Sequence, residues 1–171
     1  MQNDLIVESQ EKYYQCYIDN GGESKYIICQ LDVTYNAMCV DLIGGGLESD
    51  SDLFKEFIAN VGNERCSPRY MFIALDQPYH IEIYEEFKDI LKQQQRQLNQ
   101  LSTDNSLNLK YKLSCLGGGI VKIDDDKQTL SCFGKSYQFG PPDIKLVKAI
   151  LESTNISNYK LDIQITNEIR G

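Results

Sequence analysis

Residues 69–91 read RYMFIALDQPYHIEIYEEFKDIL, and this stretch decides the fold. Arg69 to Leu75 is apolar and strand-like. Asp76-Gln77-Pro78 breaks the run, and proline suits the first turn of a helix. From His80 onward, Ile83, Phe87, Ile90 and Leu91 recur at helical spacing, with Glu85, Lys88 and Gln93 to Gln95 on the opposite face. A strand therefore passes into a long amphipathic helix, and the chain's one histidine sits at the passage. Imidazole is the side chain whose ordinary pKa lies nearest neutrality. A backbone entering a helix there offers N–H donors to an anion.

Working outward, Tyr13 to Ile18 reads as a short strand and Asp19-Asn20-Gly21-Gly22 as a turn. Lys25 to Val33 (KYIICQLDV) reads as a second strand, so the start of the domain reads as a hairpin. In the segment 34–66, Gly44-Gly45-Gly46 and the following acidic run mark a loop. Leu53, Phe54, Phe57, Ile58 and Val61 then recur at helical spacing behind Asp50 to Asp52. Downstream, Leu107 to Leu116 alternates loosely into Gly117-Gly118-Gly119. Ile120 to Ile123 and Thr129 to Phe133 flank Asp124-Asp125-Asp126-Lys127 as a further hairpin. A helix carrying Ile144, Val147, Ile150 and Leu151 follows Pro141-Pro142, and Tyr159 to Ile165 alternates as a last strand. The sum predicts a single α+β domain, a mixed sheet of about six strands with two long helices packed against it.

Composition narrows the classes. The 171 residues, 42% hydrophobic and 25% charged, suit one globular domain. A formal net charge of -8 argues against a nucleic-acid binder, which normally shows a basic stripe. The six cysteines have no CxxC spacing, so no zinc site is expected. Met1-Gln2-Asn3-Asp4 lacks the basic and apolar regions of a signal peptide, and no stretch approaches a membrane span. A cytoplasmic monomer with free thiols and no membrane association is expected.

Familiar phosphate motifs fail. Gly134-Lys135-Ser136 resembles the end of a P-loop, but the required earlier glycine falls on Thr129. No cysteine has an arginine six residues later, which removes a Cys-x5-Arg loop. Asp124-Asp125-Asp126 sits at a hairpin tip, where a solvated turn is the better reading than an aspartyl-phosphate motif. No serine near His80 lies in a G-x-S-x-G elbow.

Four segments in a fixed order survive: Lys25-Tyr26-Ile27, Tyr79-His80 with Ile83-Tyr84, Cys115-Leu116-Gly117-Gly118-Gly119, and Gly134-Lys135-Ser136 with Phe139-Gly140-Pro141. This arrangement resembles the Janus/Ocnus family over roughly residues 12–166, with 34–66 a longer, divergent insertion and 1–11 and 167–171 as tails. The resemblance implies hydrolysis of the P–N bond of phosphohistidine in protein substrates, with no cofactor and no metal. It places the catalytic role on His80, as general base or as nucleophile. It places phosphate binding on Lys25, on the backbone at Ile81, and on Ser136, Tyr137 and Gln138. The alternative it allows is a catalytically weak module that binds a phosphorylated protein partner. Three departures stand out. Ile120 occupies the position where the family often has arginine, with Lys122 two residues on as a partial substitute. Ile81 replaces an alanine, and Gln138 replaces a small residue.

Overall fold

The computed structural model describes residues 14–19, 21–35, 65–101, 109–154, 158–164 and 169–170. The candidate helix at 53–61, the glycine loop at 44–46 and the 1–11 tail lie outside these residues. The described strands are β1 (Tyr14–Ile18), β2 (Gly22–Tyr35), β3 (Arg65–Ala74), β4 (Leu109–Asp124), β5 (Thr129–Phe133), β6 (Lys135–Ser136), β7 (Lys160–Ile163) and β8 (Ile169–Arg170). The helices are α1 (His80–Leu101) and α2 (Ile144–Ser153). Six strands form one mixed sheet in the order β1-β3-β2-β4-β5-β7, and β6 pairs with β8 in a small second sheet. The α+β architecture expected from the sequence is the one found.

The centre of the sheet is buried on both faces, and this explains its near-continuous apolar sequence. Along β2, Ile27, Cys29 and Leu31 face one layer, where Met71 and Ile73 of β3 meet Ile83, Phe87 and Leu91 of α1. Tyr26 and Ile28 face the other, with Phe72 and Ala74, Val121, Ile123, Leu130 and Cys132, and Val147, Ile150 and Leu151 of α2. Helix α1 thus covers one face and α2 the other. The short α2 starts cleanly because the Asp143 carboxylate accepts from the Lys145 N–H at 3.0 Å and the Leu146 N–H at 3.4 Å.

The expected N-terminal hairpin is not formed. β1 pairs in parallel with β3, and β3 lies between β1 and β2. The turn signal at 19–22 fixes a reversal of direction but not adjacency. β3, with Met71 to Ala74 buried in succession, is the strand with two apolar faces to hide, and it takes the inner position. The Asp19 N–H donates to the Ala74 carbonyl at 2.9 Å and closes that end of the β1–β3 pair.

The loose alternation at 107–116 has a specific cause. β4 is one continuous strand through the three glycines, but Cys29 pairs with Cys115 while Ile28 pairs with Gly117, so Leu116 is an extra residue. Before the bulge, odd-numbered residues (Tyr111, Leu113, Cys115) pack in the α1 layer. After it, odd-numbered Val121 and Ile123 pack in the α2 layer. The hairpin at 124–129 is as read: Lys127 N–H donates to the Asp124 carboxylate at 3.1 Å, and Gln128 adopts a positive φ of 50°. Ile169 and Arg170, within the stretch read as a tail, form β8 and lie in register with Lys135 and Ser136.

Phe72 is fully buried and stacks on Tyr26, with ring centroids 4.4 Å apart. Phe72→Ala is expected to lower unfolding free energy by about 3–5 kcal/mol, measured by urea denaturation, through lost transfer energy and the cavity left. Phe72→Leu is expected to cost much less.

Candidate active site

His80 is the first residue of α1, and its ring is wholly buried. Glycine at 118 makes that position possible. A Cβ there would lie 2.8 Å from His80 Cδ2 and 2.6 Å from the Tyr26 carbonyl oxygen, so no other residue leaves room for the imidazole against the sheet. The ring is fixed by a 2.8 Å contact between its Nε2 and the Gly119 carbonyl. A carbonyl only accepts, so Nε2 carries the proton, and in the neutral ring Nδ1 is the basic nitrogen.

The start of α1 uses two of its N–H groups within its own first turn. The N–H groups of Glu82 and Ile83 both donate to the Tyr79 carbonyl, at 3.1 and 3.4 Å. Helix geometry points the Ile81 N–H back toward the same end, with no residue of the helix behind it to accept. The positive end of the α1 dipole adds to the preference for negative charge there.

Lys25 arrives from β2. Its ammonium donates to the Pro78 carbonyl and lies over the Tyr79 ring, 5.3 Å from the centroid. It is held against the two residues that precede His80. In the sheet it is in register with Ile120, so the position where the family often has arginine lies directly across the ladder from the lysine. Ile120 is buried and, with Glu23, Ser24, Lys25, Asp76 and Gln77, lines a cavity of about 180 Å³. Lys122 is exposed and in register with Glu23, one same-face position beyond Ile120.

The Ser136 segment closes on the opposite side of the glycines. Gly140, at a φ of 80°, turns its carbonyl to accept from both Gly118 N–H (3.2 Å) and Ser136 N–H (3.3 Å). The Ser136 hydroxyl is buried and accepts from the Phe139 N–H at 3.1 Å. It therefore shapes its own turn. Tyr137 and Gln138 are exposed at the tip, Tyr137 to 78%. Phe139 meets Tyr84 of α1 with ring centroids 5.7 Å apart, and the Tyr84 hydroxyl donates to the Leu113 carbonyl at 2.9 Å. The four segments singled out in the sequence thus converge around Gly118 and the start of α1. Lys25 and His80 share the Pro78–Tyr79 turn, and the Ser136 turn reaches His80 through Gly118. The cavity beside Lys25 includes neither His80 nor Ser136.

Three participants had no assignment from the sequence: the Gly119 carbonyl, the Pro78 carbonyl and the Gly140 carbonyl. All are backbone groups, whose roles leave no side-chain signature. Only the positive φ of Gly140 is reflected in its residue type.

The α+β domain thus sets a histidine in a fixed tautomer at a helix start, beside one lysine and a glycine-lined strand. Residues 49–160 match the Janus/Ocnus family model, and the chain belongs to the Janus/Ocnus family. The match spans His80, the three glycines and Ser136, and Lys25 lies outside it. No curated protein gives a match. Among the described residues no helix is long and apolar enough to cross a membrane.

Because the chain holds one histidine, its imidazole signals in an NMR spectrum are unambiguous. At neutral pH a ¹⁵N correlation spectrum is expected to show a protonated Nε2 and an unprotonated Nδ1; the opposite tautomer would remove the Gly119 assignment. Gly118→Ala is expected to displace those signals and to destabilise the domain by about 1–3 kcal/mol, as overpacked positions do.

Proposed function

We propose that the protein is a phosphohistidine phosphatase that hydrolyses the P–N bond of phosphohistidine in cytoplasmic protein substrates. The observation that carries this reading is the orientation of His80. Its Nε2–H is tied to the Gly119 carbonyl, which leaves Nδ1 as the base, at the helix end where N–H donors and the dipole favour a phosphoryl group.

In the mechanism we infer, Nδ1 takes a proton from water as the water attacks phosphorus in line with the departing imidazole nitrogen. The P–N bond breaks, the leaving nitrogen takes a proton from solvent, and inorganic phosphate is released. His80 then returns its proton to solvent. The Ile81 N–H and the N–H groups of the Tyr137–Gln138 turn hold the phosphoryl oxygens, and Lys25 neutralises their charge. Ser136 acts by holding that turn in shape through Phe139.

The ring is wholly buried against the glycine strand, so substrate entry requires a neighbouring segment to yield. Lys25 is suited to this, because its bond to the Pro78 carbonyl can be exchanged for a phosphoryl oxygen. The incoming anion would then draw the lysine away from the turn it holds.

One observation favours the second reading, a phosphoprotein-binding module: Ile120 faces Lys25 across the ladder and supplies no charge there. The test is hydrolysis of a phosphohistidine-containing protein by wild type, His80→Gln and Lys25→Ala. Glutamine keeps an N–H donor near the Gly119 carbonyl and removes the base, so the variant is expected to stay folded and lose roughly 10²–10⁴-fold in kcat/KM. Lys25→Ala is expected to lose about ten- to a hundredfold, the range for one charged hydrogen bond. Equal rates for wild type and His80→Gln would sink the enzyme reading. Binding of phosphopeptide without turnover would assign the module instead.

A further inference from the structure

Cys29 and Cys115 lie directly opposite each other in the antiparallel β2–β4 ladder. Residues so opposed have Cα atoms roughly 4.5–5.5 Å apart, inside the range of roughly 4.4–6.8 Å that a disulfide spans. Both side chains pack in the layer covered by α1, so they point to the same side of the sheet. The Cys115 thiol also donates to the Gly117 carbonyl at 3.7 Å.

The two are unequal. The neighbouring Cys29 thiol holds the Cys115 thiol below its ordinary pKa. Burial, and then the neighbouring Cys115 thiol, holds Cys29 well above its own. Cys29 has no exposed surface, whereas Cys115 is half-buried. A part-exposed sulfur is thus backed, directly across the ladder, by a fully buried one, the placement of an attacking and a resolving cysteine. Two other described cysteines lack it: burial pushes Cys16 up to about 12, and Cys132 is raised further, again chiefly by burial.

We propose that Cys29 and Cys115 are a redox pair, closed to an intramolecular disulfide by a peroxide and reopened by a dithiol. The Cys115 thiolate attacks one oxygen of hydrogen peroxide and the O–O bond breaks. The sulfur becomes a sulfenic acid, and the departing hydroxide takes up a proton as water. The Cys29 sulfur then attacks the Cys115 sulfur, the S–O bond breaks, and the leaving hydroxide departs as water with the Cys29 proton. Two thiols and one peroxide yield one disulfide and two waters. The bridge lies three residues before Gly118, on which His80 rests, and next to the bulge at Leu116. The pair stands independently of the phosphatase reading.

The test treats the full chain with a small excess of hydrogen peroxide, alkylates remaining thiols, and maps peptides without reduction. The expected result is a monomer with a Cys29–Cys115 linked peptide and two fewer alkylatable thiols per chain, both restored by dithiothreitol. Cys29→Ser is expected to leave a sulfenic acid on Cys115, trapped by dimedone, with no cross-link. Cys115→Ser is expected to leave Cys29 unmodified. The proposal is overturned if Cys115 stays fully alkylatable after peroxide treatment of wild type. It is also overturned if cross-links join other cysteines or other chains and none joins Cys29 to Cys115.

Discussion

Between Cys115 and Gly117, β4 carries one residue more than β2 opposite, and that extra residue, Leu116, sets what faces α1. Were Leu116 paired regularly with Ile28, the strand would present Gly117 and Gly119 to the helix and turn Gly118 and Ile120 to the α2 layer. With the bulge, Gly118 lies under the imidazole and Ile120 beside Lys25. The bulge also places Gly117 at a φ of 148°, where a Cβ would strike the Pro141 carbonyl at 2.6 Å. Close approach of the Ser136–Pro141 segment to the sheet therefore depends on glycine at 117, as the seat of His80 depends on glycine at 118. A single register shift brings together three segments that are distant in sequence.

Much of this was legible in the chain because the relevant signals are local. The apolar run before Pro78 and the 3.6-residue periodicity after His80 define β3 and α1 from within a few turns of backbone. The sidedness of α2 and the Asp124–Lys127 turn are legible for the same reason. Strand order was not. The 19–22 turn contains every residue of a tight reversal, yet the partner of β1 is supplied by β3 from some fifty residues downstream. That choice is made by the need to bury both faces of Met71 to Ala74. The bulge was hidden for a related reason, since inserting one residue inverts the alternation that would reveal a continuous strand.

The candidate site divides along the same line. His80, Lys25 and Ser136 carry side chains that name themselves, and the structure gathers all three around the start of α1. The Ser136 hydroxyl accepts from the Phe139 N–H of its own turn, a contact that residue type alone does not announce. The groups that fix His80, Lys25 and the Ser136 turn are carbonyls of Gly119, Pro78 and Gly140. Peptide carbonyls are common to every residue, so only three-dimensional placement can select them.

Charge imposes the remaining constraint. The chain has a net charge of -8, and long-range attraction works against an anionic ligand. With isoleucine at 120, the proposed recognition of a phosphoryl group near His80 would rest on one lysine and on backbone donors. Lys25 is itself engaged by a neutral carbonyl, a partner weaker than an anion. Exchange of that carbonyl for a phosphoryl oxygen is therefore downhill in local electrostatics. An arginine opposite Lys25 would place two cations side by side, raising anion affinity and, through their repulsion, loosening the lysine's hold on the Pro78 turn. Isoleucine at 120 introduces no such repulsion.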